Sequence, residues 1–188
     1  MKTLVILSHP NHKNSRVTQA LVQAPSEVES VTVRNIDKLY GTDFTAIDVE
    51  AEKVAHEAAD RIVYMFPIHW FNLTPMLKAY MNAVWQYSWA FGEGGYALAG
   101  KEMQVIAGAA EETYTHGSLI QYTTAEILAP IEASSYYTSM TYNHPIVFTN
   151  SNAVSDEGLK EWQQIVKAHL ESPLGSNVKG VSLRKKLE

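Results

Sequence analysis

Thr3 to Leu7 (Thr-Leu-Val-Ile-Leu) is an apolar run too short for a helix and lacks the polar alternation of a strand with one wet face. Such a run fits a strand covered on both faces, the situation inside a parallel sheet. Ile62 to Phe66 and Met103 to Ala107 repeat the pattern, and Ser30 to Ile36 and Ile146 to Thr149 supply two weaker examples. Between them lie stretches of helical periodicity. Val17, Ala20, Leu21 and Ala24 form one, with Pro25 closing it, and Val49 to Ala59 forms another. Met76, Leu77, Tyr80, Met81, Val84 and Trp85 make the strongest stripe, behind a Pro75 suited to a first helical turn. Thr123 to Ser134 and the Leu159 to Leu170 region complete the set. Strand and helix alternating along the chain predict an α/β fold, a doubly wound five-stranded parallel sheet with helices on both faces.

Residues 1–174 form one expected domain. Residues 175–188 carry little apolar pattern and several basic residues, so they read as a solvated polar tail, with Leu187 and Glu188 as a cloning scar. Cysteine is absent, which excludes disulfides, thiol nucleophiles and Cys-based metal sites, so redox chemistry would have to come from a cofactor. The net charge of −5 and the lack of a basic face exclude the usual footprint of a nucleic-acid binder. No apolar run approaches the roughly 18 to 20 residues that span a bilayer, and no signal-peptide pattern opens the chain, so a cytoplasmic location is expected.

Ligands of open parallel sheets bind beyond the carboxyl ends of the strands, so three loops carry the expected chemistry. The first, Ser8 to Ser15, leads into a helix start, where free N–H groups and the helix dipole favour a phosphate. No glycine precedes Gly41, which rules out both a dinucleotide fingerprint and a P-loop and favours a single phosphate. Asn14 or Ser15 is equally suited to a plain helix cap. The sequence offers His9 and His12 no third metal ligand, and no metal is expected.

The second loop, Pro67 to Pro75, sets Trp70 beside Phe71, either as walls for a heteroaromatic ring or as a packing or dimer contact. The third opens with Gly108 and Ala109, small residues that let a ligand approach the backbone, and continues to Tyr114 and His116. That phenol and imidazole could serve a carbonyl oxygen gaining charge, or could be plain surface residues.

The ordered set Leu7-Ser8-His9-Pro10 with Asn14-Ser15, Ala59 to Val63, Phe66 to Phe71, Pro75 to Lys78, Trp89 to Gly95 and Glu111 to Tyr114 resembles the flavodoxin-like NAD(P)H:quinone oxidoreductases. The likeness covers about two thirds of the chain and is greatest to the short bacterial branch that includes ancillary proteins of glutathione-gated potassium efflux systems. It implies FMN, or alternatively FAD, with NADPH or NADH as donor, a quinone-like acceptor and a homodimer with its site at the interface. It also implies two-electron ping-pong transfer. By position, Ser8, His9, Asn14, Ser15, Arg16 and Val17 would hold the flavin phosphate and ribityl chain. Pro67, Ile68, His69, Trp70 and Phe71 would line the ring, Gly108 and Ala109 would meet its pyrimidine edge, and Tyr114 and His116 would face the substrate. The family's Thr-Thr-Gly-Gly after the fourth strand is Ile106-Ala107-Gly108-Ala109 here, which removes hydroxyl contacts and leaves the backbone ones. The lack of a long C-terminal domain favours FMN. The same site would suit nitro or azo reduction, or a flavin-binding regulatory subunit docked on a membrane transporter at the inner face of the membrane.

Overall fold

The computed structural model describes residues 1–184. Lys185 and Lys186, and the expected cloning scar at Leu187 and Glu188, lie outside the described residues.

The sheet contains β1 (Thr3–Leu7), β2 (Val31–Asn35), β3 (Arg61–Pro67), β4 (Glu102–Gly108), β5 (Thr141–Asn143), β6 (Ile146–Phe148) and β7 (Val178–Val181). Its order is β2-β1-β3-β4-β5-β7, with β6 also paired to β4. All pairings are parallel except β5 with β7. The five expected strand positions are therefore present, and the fifth is split. β5 meets the start of β4 and β6 meets its end. Between the two halves lies His144-Pro145, where proline has no N–H to give a ladder.

The helices are α1 (Arg16–Ser26), α2 (Ile36–Tyr40), α3 (Val49–Glu57), α4 (Pro75–Val84), α5 (Thr124–Tyr137) and α6 (Asp156–Glu171). Successive strand residues point to opposite faces, and the core divides accordingly. Val5, Leu7, Val63, Met65 and Ile106 pack against Leu21 and Ala24 of α1 and Val166 and Leu170 of α6. Leu4, Ile6, Ile62, Tyr64 and Met103 face Leu77, Tyr80 and Val84 of α4 and Leu128 and Ile131 of α5. Each fully buried aliphatic side chain contributes about 1.5–3 kcal/mol, which makes this two-sided burial the main stabilising force.

Three expectations are corrected. Pro25 lies inside α1, because in the last turn a missing N–H removes a single bond and the helix still reaches Ser26. The second strand ends at Asn35, whose side chain accepts the Lys38 N–H at 2.9 Å and caps α2. The polar tail is ordered over Val178–Val181, since a sheet edge recruits a strand through backbone bonds without an apolar pattern. Gly180 lets it lie close, as a Cβ there would sit 2.2 Å from the Tyr136 hydroxyl oxygen.

Two buried polar networks stiffen the frame. Glu52 on α3 accepts from Arg34 at 2.6–2.9 Å, from Tyr80 at 2.7 Å and from Tyr40. Burial alone would raise the Glu52 carboxyl, but these donors hold it below the usual range. At the opposite end of the sheet Arg61, fully buried, donates to Glu102 at 2.7 Å and to the carbonyls of His169, Ser172 and Pro173 at 3.1–3.3 Å.

Candidate active site at the carboxyl edge of the sheet

Beyond the carboxyl ends of β1, β3 and β4 opens a cleft of about 200 Å³. A single water needs roughly 10–15 Å³ on the same basis, so the space is that of a ligand and not of a packing fault. Its floor is Leu7, Met65 and Ile106 at the strand ends. One wall is the start of α1, with Ser15, Val17 and Thr18. The loop after β3 contributes Pro67, Ile68 and His69, and β4 ends in Gly108 and Ala110.

Ser15 caps α1. Its hydroxyl oxygen accepts the Thr18 N–H at 3.2 Å and its own proton goes to the Thr18 hydroxyl at 3.0 Å. The first N–H groups of α1 have no intrahelical acceptor, so the helix presents donors and a partial positive charge here.

His9 lines the cleft with its tautomer defined. The Asn11 N–H donates to Nδ1 at 3.0 Å, which leaves the proton of neutral His9 on Nε2. Burial, followed by the neighbouring His69 imidazole, lowers the His9 pKa, and Asp37 partly offsets them.

Ser8 is turned away. Its buried hydroxyl donates to Asp37 at 2.7 Å and bonds Thr74, the cap of α4. Asp37 also accepts the His9 N–H at 2.9 Å, so this carboxylate ties the first loop, α2 and α4 together. Asn14 is exposed and bonds Asn11 at 2.8 Å. Arg16 points across to α6, donating twice to the Val154 carbonyl and lying 3.4 Å from Asp156. Ser8, Asn14 and Arg16 thus hold the site's frame, and their side chains are engaged elsewhere.

The turn after β3 is strained. His69 and Asn72 exchange both backbone hydrogen bonds, at 3.0 and 2.9 Å, and the two residues between them have positive φ, 45° at Trp70 and 60° at Phe71. Bulky residues pay roughly 1–2 kcal/mol each for this left-handed conformation, and such strain concentrates at ligand clamps. Trp70 is 92% exposed, and neither ring lines the cleft itself. They stand at its rim on the turn that carries His69.

Ala109 is buried behind Gly108, its N–H bonded to the Phe148 carbonyl at 2.9 Å. Tyr114 and His116 lie outside the cleft lining. Burial raises the Tyr114 phenol. His116 Nδ1 is 3.1 Å from the Gln121 carbonyl and Nε2 is 3.3 Å from Glu126, contacts that fix the loop before α5.

The sequence reading missed Ser151 and Asn152, which close the cleft from the loop after β6. Their signal was available, since Asn150-Ser151-Asn152 is a polar run directly beyond a strand's carboxyl end. Ser151 N–H donates to the Ala109 carbonyl at 3.0 Å and Asn150 N–H to Glu111 at 2.9 Å, which joins this wall to β4. Among the described residues no cluster of His, Asp or Glu could hold a metal, and no helix is long and apolar enough to cross a membrane.

Comparison with known proteins agrees with this architecture. The family model for the flavodoxin-like fold matches residues 1–170. The uncharacterized NAD(P)H oxidoreductase YdeQ of Bacillus subtilis (strain 168) is 34% identical over 86% of this chain and 82% of its own. The glutathione-regulated potassium-efflux system ancillary protein KefF of Klebsiella aerogenes is 31% identical over 84% of this chain and 88% of its own. The crystal structure of general stress protein 14 from Treponema denticola in complex with FMN is 31% identical, with a TM-score of 0.81 over 90% of this chain and 96% of that one. A parallel sheet in this order, a ligand cleft at its carboxyl edge and a family match over nearly the whole length establish that this chain belongs to the flavodoxin-like fold family.

Proposed function

We propose that the chain is a flavin-dependent NAD(P)H oxidoreductase with FMN as prosthetic group and a quinone-like acceptor. The observation that carries this reading is the opening at Gly108. A Cβ built there meets only the Ser151 Cβ, at 4.0 Å, so the backbone borders free space in the cleft wall. That suits the edge of a flat ring, and the residues around it fit a flavin. The start of α1 with Ser15 and Thr18 would hold its phosphate. Gly108 and Ala110 would meet the ring edge through their backbone, with Ile68 and His69 opposite and Trp70 and Phe71 at the rim. Bound FMN supplies hydride transfer from a nicotinamide to an acceptor. The chain orients both reactants, and its apolar floor excludes water.

Donor and acceptor would use the one site in turn. YdeQ, an NAD(P)H oxidoreductase, and the FMN complex of general stress protein 14 support the cofactor and the reaction class. The absence of glycines from the first loop favours FMN over FAD. A homodimer is supported by the exposed Trp70, Phe71, Tyr87 and Tyr137, and docking on a potassium-efflux transporter at the inner face of the membrane by the likeness to KefF.

The test is titration of the apoprotein with FMN and with FAD, followed by initial rates with NADPH or NADH and menadione. Tight FMN binding and parallel double-reciprocal plots are expected. Failure to bind either flavin would overturn the assignment.

A further inference from the structure

The side chains of Ser8, Asn14 and Arg16 have protein partners of their own, and Ser15 and Thr18 bond each other at the start of α1. The cleft floor of Leu7, Met65 and Ile106 is apolar. Polar contacts along the stretch between the helix start and the end of β4 have another source, the loop after β6.

Residues 150–153 form a tight turn. The Ala153 N–H donates to the Asn150 carbonyl at 3.0 Å, and Asn150 takes the left-handed conformation, φ 55°, that asparagine accepts more readily than most residues. Ser151 and Asn152 are the two central residues, and both line the cleft. One end of the turn is fixed to β4. The Ser151 N–H donates to the Ala109 carbonyl at 3.0 Å, and the Ser151 Cβ lies 4.0 Å from where a Cβ on Gly108 would stand. The other end is fixed to α1, where Arg16 donates to the Val154 carbonyl at 2.9 Å and lies 3.4 Å from Asp156. The segment therefore runs from the strand end assigned to the ring edge to the helix start assigned to the phosphate. Asn152 stands between the two anchors, and its carboxamide has no hydrogen-bond partner among the described residues.

We propose that the Asn152 side chain recognises the sugar-alcohol chain that joins the flavin ring to its phosphate. The inference rests on the flavin reading and names a residue which that reading leaves out. A polyol taken from water onto an apolar floor loses hydrogen bonds unless the cleft wall returns them. A carboxamide suits this task, because its oxygen accepts and its nitrogen carries two donors, so a hydroxyl is met in either sense. The turn is tied at both ends before any ligand arrives. Its ordering cost falls on folding, and binding keeps more of the contact.

The experiment is fluorescence titration of flavin-free protein, wild type and Asn152→Ala, with FMN, riboflavin and lumiflavin. These carry the polyol with its phosphate, the polyol alone, and neither. Asn152→Ala should weaken FMN and riboflavin by the same factor, about 2- to 12-fold for a neutral hydrogen bond, and leave lumiflavin unchanged. The melting temperature of the flavin-free variant should match wild type, since the side chain has no protein partner to lose; a lowered one would mark a structural residue and overturn the proposal. Equal weakening of all three ligands would put Asn152 at the ring, weakening of FMN alone would put it at the phosphate, and unchanged affinity for all three would leave it no role. Each of these overturns the proposal and leaves the flavin reading standing, whereas wild type that binds none of the three removes both.

Discussion

Replacing Gly108 by alanine should separate folding from ligand binding. The position has ordinary negative φ, and the added methyl would meet nothing nearer than the Ser151 Cβ at 4.0 Å. The fold therefore accepts it. Removing a glycine from a strand stabilises by about 0.5–1 kcal/mol, which in a domain of this size raises the apoprotein melting temperature by about 1–4 °C. The same methyl projects into the cleft where the flat ring is placed. Overfilling a close-packed contact costs about 1–3 kcal/mol, so FMN affinity should fall about 5- to 150-fold. Quenching of flavin fluorescence gives the affinity, and a thermal melt of flavin-free protein gives the stability. An alanine variant that binds FMN as well as wild type would refute the placement of the ring against β4. A lowered melting temperature would refute the claim that nothing but ligand space lies there.

Three further outcomes follow from the geometry. His56 is fully buried, and burial holds its pKa down at about 4 against 6.5 when unfolded. The neutral form is the one that folds, so stability is complete above pH 6.5 and falls by roughly 3 kcal/mol as pH drops to 4. Urea unfolding should show His56→Gln with a flatter pH dependence over that range, and an unchanged slope would count against it. Trp70→Gly should relieve the left-handed strain and stabilise by about 1 kcal/mol in urea, while lowering turnover with menadione about tenfold. Equal turnover would deny the ring a role at the rim. Glu52→Ala leaves Arg34 without its carboxylate and should cost about 3–5 kcal/mol in chemical denaturation, with FMN affinity per folded molecule unchanged.

The central strands and α4 were legible because burial on both faces leaves an unbroken apolar run, and a single buried stripe leaves a helical one. β1, β3 and β4 were found within a residue or two at either end. β5 and β7 were not, since three or four edge residues held by backbone bonds need no particular side chains. At the site, the loops were found more readily than the atoms. Ser8 and Arg16 carry the donors a phosphate wants, but sequence does not disclose that Asp37 and Val154 claim them first. Those partners are 29 and 138 residues away, and only the tertiary arrangement brings them together.

Arg61 has a consequence for how the molecule is made. Its guanidinium is sealed beneath the sheet and satisfied by carbonyls more than a hundred residues downstream, at His169, Ser172 and Pro173. A nascent chain lacking those residues would bury a cation with too few acceptors, a state costing several kcal/mol. Closure of the central sheet therefore awaits synthesis of the end of α6, and ribosome-bound chains that stop before residue 169 should remain sensitive to protease.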